Sequence, residues 1–231
     1  MKNDSSSKLL SLIHLVNSSL PLGGYNYSSG FEYVIESGCI HEPQLFCGLI
    51  NDELLYGFIR IELAVIVKNS CLSSLQSVSH LNYWNRYLHG FFEAKELRRQ
   101  SIQMGNSLLK LLGDLDQAKR ESIGEYRQVL GKDCHYAIAF GIAVALWEIE
   151  PKDAVLGYLH SWVTNLVGAG VKLIPLGQTQ GQQIIYDLHP VIATVADELI
   201  EQNEDHLYAC SWGSSLASMN HETMYSRLFR S

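Results

Sequence analysis

The stretch from Val171 to Gln182, Val-Lys-Leu-Ile-Pro-Leu-Gly-Gln-Thr-Gln-Gly-Gln, holds one cation, Lys172, and three glutamines on either side of a Pro/Gly interruption. Amides beside glycines can be read as a cradle for a phosphate. Four carboxylates, Glu32, Glu96, Asp133 and Glu148, offer acid/base chemistry, although their linear order pairs none of them and surface charge or helix capping is the commoner use. The chain has nine histidines, and no two stand three or four residues apart, so no local helical metal clip exists. His135 opens a helical segment, where a histidine is either a base or, more often, a structural hydrogen-bonding group.

Other chemistry is missing from the sequence. There is no G-x-x-x-x-G-K-S/T loop, no G-x-S-x-G and no H-E-x-x-H, and Gly168-Ala169-Gly170 lacks the third glycine and preceding strand of a dinucleotide site. Five cysteines, widely spaced and never in a C-x-x-C pair, indicate neither a disulfide framework nor a zinc knuckle and fit a reducing cytoplasm. A net charge of -7 argues against nucleic acid, which is recognised through clustered Lys and Arg. The longest apolar run, Ala137 to Trp147, is short of the roughly 20 residues of a membrane span, and the N-terminus makes a poor signal peptide. The expectation is a soluble chain with no membrane and no nucleic-acid partner.

The elements that must position these residues read as helices. At 231 residues with 47% hydrophobic content, one folded unit with a substantial core is expected. Ser5-Ser6-Ser7 precedes a helix from Lys8 to about Asn17, and Pro21-Leu22-Gly23-Gly24 ends it. Tyr25 and Tyr27 beside that break form either a binding surface or a packed tight turn, and Ser29 with Glu32 has capping-box spacing. Pro43 starts a helix that bends at Gly57, and Phe58 to Val67 continues as helix despite its β-branched residues. Leu72 to His89 and Phe91 to Leu112 are helical, the latter with Glu96 and Arg99 placed to pair. Gln117 to Gly131 is a connector with one short helix, and Asp133 caps Cys134 to Glu148.

Pro151 begins the next helix, whose Gly168, Ala169 and Gly170 allow close backbone approach. Pro175 breaks it at about Ile174, and helical spacing resumes from Leu176 to about Gln202 with a kink at Pro190. The tail from Leu207 mixes Trp212, Met219, Tyr225, Leu228 and Phe229 with Arg227 and Arg230, a composition suited to covering its own domain or docking on another chain. The predicted fold is all-α: a single-domain helical bundle of about ten helices, residues 1–206, followed by a partly flexible C-terminal docking tail, residues 207–231.

Five pieces, in order along the chain, give a resemblance. They are Leu20-Pro21-Leu22-Gly23-Gly24-Tyr25 with Tyr27-Ser28 and Gly30-Phe31-Glu32; Glu96-Leu97-Arg98 with Gln103-Met104-Gly105; Ala139-Phe140-Gly141; Val171 to Thr179 with Gly181-Gln182; and Tyr225 to Ser231. Together they resemble the UreF family of urease accessory proteins. Tyr25 stands where that family usually has another aromatic, often phenylalanine, and Asn26 where serine is common.

The resemblance implies an all-α homodimer, not an enzyme and without a cofactor, that assists nickel insertion into urease. It also implies adaptor or regulator action between UreD (also called UreH) and the GTPase UreG, with the urease apoprotein reached through the complex. By this resemblance the UreD/UreH surface falls on Tyr225, Arg227, Leu228, Phe229 and Arg230, and the UreG surface near Pro21, Gly23, Tyr25, Tyr27, Lys172 and Gln178. Lys172, Arg98 and Arg99 are the cations that could act directly on the GTPase, against a structural role for Lys172. The competing readings are a direct nickel-binding carrier using histidines such as His135 or His221, or an unrelated helical enzyme.

Overall fold

The computed structural model of the chain describes residues 2–70, 76–201 and 207–230. Among these residues the structure is all-α. Its helices are α1 (Lys2–Leu15), α2 (Phe31–Glu36), α3 (Pro43–Tyr56), α4 (Ile59–Asn69), α5 (Gln76–Phe91), α6 (Lys95–Leu115), α7 (Arg120–Leu130), α8 (Tyr136–Leu146), α9 (Pro151–Leu173), α10 (Gln178–Asp187), α11 (His189–Glu201) and α12 (Trp212–His221). Two short 3-10 turns, Gly24–Asn26 and Gln117–Lys119, complete the set. The expectation of an all-helical bundle of about ten helices holds.

The core is organised by α8. A helix that is apolar on every side has to be surrounded, and Ala137 through Val144 are all buried. Helix α4 flanks it with an equally buried run from Ile59 to Ile66, and α6 lies on another side. Two glycines set these separations. A Cβ on Gly105 of α6 would collide with the carbonyls of Cys134 and His135 at the entry to α8, and one on Gly141 would lie 3.0 Å from Cβ of Asn69 at the end of α4. Helix α9 crosses this layer and is covered by α10 and α11, while α12 lies on α2 and α6.

Several boundaries differ from the sequence reading for identifiable reasons. The first helix is Lys2–Leu15 rather than Lys8 to Asn17. Helix α6 begins at Lys95 because Phe92 to Ala94 leave helical geometry and the Arg98 guanidinium donates to the Phe92 carbonyl. Asp133 does not cap α8: His135 stands at the N-cap, and the Asp133 carbonyl accepts from the Asn85 amide. The expected connector carries a full helix, α7, and the kink expected at Pro190 is a break at Leu188, with Pro190 in the first turn of α11. The break at Pro175 occurs as expected, with Ile174 extended at the C-cap of α9. The first residues of the helix expected from Leu72 and the end of the one expected at Gln202 lie outside the described residues.

Candidate partner-binding site

One buried carboxylate holds the end of the chain against the body. Glu32 sits in the first turn of α2 and is buried, with its side chain turned toward α12 and the terminal strap, residues 225–230. Its two oxygens accept the backbone N–H groups of Leu228 at 2.5 Å and Phe229 at 2.9 Å, and Oε2 also lies 3.0 Å from Nε2 of His221. Nδ1 of the same imidazole lies 2.7 Å from Oε2 of Glu96, whose Oε1 accepts from the Arg227 guanidinium at 2.6 Å. Glu32, His221, Glu96 and Arg227 thus form one continuous chain of polar contacts from α2 through α12 and α6 to the strap. Burial pushes the Glu32 carboxyl up, but the Leu228 amide, the His221 ring and the Phe229 amide outweigh it and hold it below the ordinary carboxylate value. The expected pairing of Glu96 with Arg99 gives way to this network.

Local backbone geometry makes the network possible. Ser29 and Gly30 take positive φ angles of 54 and 82, and Gly30 is the N-cap of α2. A Cβ on Gly30 would meet the Ser218 amide nitrogen of α12 at 2.8 Å, so only glycine lets α12 seat against this turn. The expected capping box between Ser29 and Glu32 does not form. Ser28 Oγ accepts the Glu32 N–H instead, and the Glu32 side chain is left to reach the strap.

The strap closes over the turn that holds the tyrosines. The Arg230 N–H donates to the Asn26 carbonyl at 2.8 Å, and the Arg230 guanidinium is a hydrogen-bond partner of the Tyr27 hydroxyl. Phe229 is buried between body and strap, and Lys172 Nζ lies 5.2 Å from its ring centroid and 3.8 Å from that of Tyr25. This cation between two aromatic faces ties the end of α9 to the turn and to the strap. Of the eleven candidate partner residues, Tyr25, Tyr27, Lys172, Arg227, Leu228, Phe229 and Arg230 therefore meet in one place. Gly23 supplies the left-handed turn, with φ 82, that launches the 3-10 segment. Pro21, Gln178 and Tyr225 are exposed near or beyond its edge.

The outer surface of this region is apolar. Trp212, Leu216 and Met219 recur at helical spacing along α12 and are exposed, and so are Tyr225 and Leu228 of the strap. Beneath the 24–27 turn lies a cavity of about 70 Å³ that reaches Glu62, Tyr136 and Tyr158. Burial pushes the Glu62 carboxyl up to about 8 against the opposing hydrogen bond from Tyr158. The cavity is therefore lined by neutral groups at pH 7.

Sequence reasoning named the strap and the turn but missed what joins them. Glu32 and Glu96 were candidates only as separate carboxylates, and His221 only as a histidine. The partners are 125 to 189 residues apart, and no local pattern records that separation. The histidines considered for nickel are otherwise engaged. Both nitrogens of His221 face carboxylates, while His135 is fully buried, stacked on Phe92 and bonded to Ser101 Oγ through Nδ1 at 3.1 Å. Among the described residues no group of three or more His, Cys, Asp or Glu side chains could hold a metal ion, and no helix is long and apolar enough to cross a membrane.

Comparison with known proteins covers the same ground. The UreF family model matches residues 40–189. A urease accessory protein UreF of Picosynechococcus sp. is 58% identical over 222 residues, covering 96% of this chain and 99% of the relative. One from Nostoc sp. is 46% identical, covering 96% and 95%, and one from Pseudomonas savastanoi pv. phaseolicola is 33% identical, covering 95% and 97%. With a family model matched over most of its length and relatives this similar across nearly the whole chain, the chain belongs to the UreF family of urease accessory proteins.

Proposed function

We propose that the chain acts in urease maturation as a non-enzymatic adaptor, joining UreD/UreH to the GTPase UreG and regulating how GTP hydrolysis is coupled to nickel delivery. In this reading it works as a cytoplasmic homodimer and reaches the urease apoprotein through the complex. The observation that carries it is the terminal strap: its inner side is fixed by Glu32, Asn26 and Lys172, while Leu228 and Tyr225 face outward beside the Trp212–Leu216–Met219 stripe. An apolar stripe with Arg227 and Arg230 at its edge has the composition of an interface core and rim. The UreD/UreH surface is assigned to Tyr225, Arg227, Leu228, Phe229 and Arg230.

The UreG surface is assigned to the neighbouring positions Pro21, Gly23, Tyr25, Tyr27, Lys172 and Gln178, of which Pro21, Tyr25, Lys172 and Gln178 are exposed and Tyr27 is buried beneath the turn. Lys172 is already committed to the rings of Tyr25 and Phe229, which favours an organising role over direct contact with GTP. Because strap and turn share Lys172 and the Asn26 carbonyl, occupancy of one surface is transmitted to the other. Deletion of residues 225–231 tests the assignment: UreD/UreH co-purification is lost and the homodimer persists, whereas retained co-purification refutes it.

A further inference from the structure

The histidines that no local spacing connects are brought together on the side of α9 that faces α10 and α11. His160 of α9 and His189 at the start of α11 have ring centroids 5.7 Å apart, with planes tilted by 45°. Two imidazoles bound to one ion through nitrogens about 2.0–2.1 Å away have centroids at about this separation, so the two exposed rings are within reach of a shared ion. Both residues are exposed, and neither ring takes part in a hydrogen bond or ion pair among the described residues. The two rings stand in an open groove with Thr179, Gln182, Gln183 and Tyr186, whose side-chain oxygens can receive waters on a bound ion.

We propose that His160 and His189 form a two-imidazole site for a late first-row divalent cation, of the Ni²⁺, Cu²⁺ or Zn²⁺ class. Imidazole nitrogen suits these ions, and a pair of nitrogen ligands gives no advantage to Ca²⁺ or Mg²⁺, which require oxygen ligands. With only two protein ligands the remaining positions stay open to water or to a donor from another molecule. The site is thus an exchangeable docking point rather than a closed structural centre. It also gives the glutamines after the α9 break a setting: Gln180 accepts the Gly177 N–H at the start of α10, Gln183 is bonded to Asp187, and Gln182 faces the groove. The site lies apart from the strap and does not depend on which partner the strap meets.

The test is calorimetric titration of the full-length protein with NiCl₂ and, in parallel, MgCl₂, using wild type, His160→Ala, His189→Ala and the control His41→Ala. His160, His189 and His41 are all exposed, so thermal melts should coincide. The expected result is one Ni²⁺ per chain, weakened at least tenfold by either groove substitution and unchanged by His41→Ala, with no Mg²⁺ binding. X-ray absorption of the nickel-loaded wild type should show two imidazole ligands. Absence of saturable Ni²⁺ binding, or binding that survives either groove substitution, overturns the proposal.

Discussion

The carboxylate of Glu32 and the imidazole of His221, 189 positions apart in the chain, meet at 3.0 Å in the buried seam between α2 and α12. Both His221 nitrogens face carboxylate oxygens, so the ring bridges Glu96 and Glu32 across the seam. Removing the Glu32 charge leaves His221 and two strap amides short of an acceptor. Glu32→Gln is expected to cost about 2–3 kcal/mol, the range for hydrogen bonds to a charged group. The depressed Glu32 pKa contributes stability that is full above its unfolded value near 4.5 and is lost as the pH falls through the lower folded value. Thermal melts from pH 7 down to acid should therefore show the gap between wild type and Glu32→Gln closing below pH 4.5.

Glu62 has the opposite sign. Its folded pKa of about 8 lies above the unfolded 4.5, so the folded state holds a proton that the unfolded state gives up, and stability falls as the pH rises between these values. Glu62→Gln keeps a neutral side chain at every pH. It is expected to flatten the dependence and to stabilise the protein by about 5 kcal/mol at most above pH 8, from about 1.36 kcal/mol per pKa unit. Denaturant midpoints at pH 6 and pH 9 read this directly, and parallel curves for the two proteins would contradict it.

The glycines near the end of α9 separate close packing from mere permissiveness. A Cβ on Gly170 would meet the Phe46 ring at 2.5 Å, whereas one on Gly168 meets nothing within 4 Å. Gly170→Ala is expected to destabilise the protein through overpacking by about 1–3 kcal/mol, read as a lower melting temperature. Gly168→Ala is expected to stabilise it by up to about 1 kcal/mol through helix propensity, read as a higher one.

These glycines also show how far the sequence could be read. Periodicity gave α3, α6 and α9, the lack of strand alternation gave α4 despite its β-branched residues, and Pro175 marked a real break, because each depends on residues within a few turns. The Gly168–Gly170 stretch announced close approach but not which glycine faces Phe46, since that depends on helix rotation against α3. Strap and turn were legible as separate pieces. Their junction through Glu32, His221 and Glu96 was not, because choosing among many surface carboxylates requires the packing of α12 on α2 and α6. The His160–His189 pair was hidden for the same reason.

Lys172→Ala removes the cation from between Tyr25 and Phe229 without touching the Glu32 network. Hydrogen exchange at the Leu228 and Phe229 amides is expected to quicken several-fold, matching about 1 kcal/mol for an exposed cation–π contact. GTP turnover by UreG in the presence of the UreD-bound protein is expected to stay unchanged, and a fall of a hundredfold or more would assign Lys172 a direct catalytic role.

Leu228→Asp tests the adaptor reading most directly, because the Leu228 side chain is exposed while its backbone N–H holds the strap to Glu32. The substitution changes the outward surface and leaves the inner clamp in place. The measurement is the amount of UreD/UreH that co-purifies with wild-type and Leu228→Asp protein from the same cells, with thermal melts of both. At least a tenfold loss with coincident melts is expected. Undiminished co-purification would contradict the assignment of the strap as the docking element.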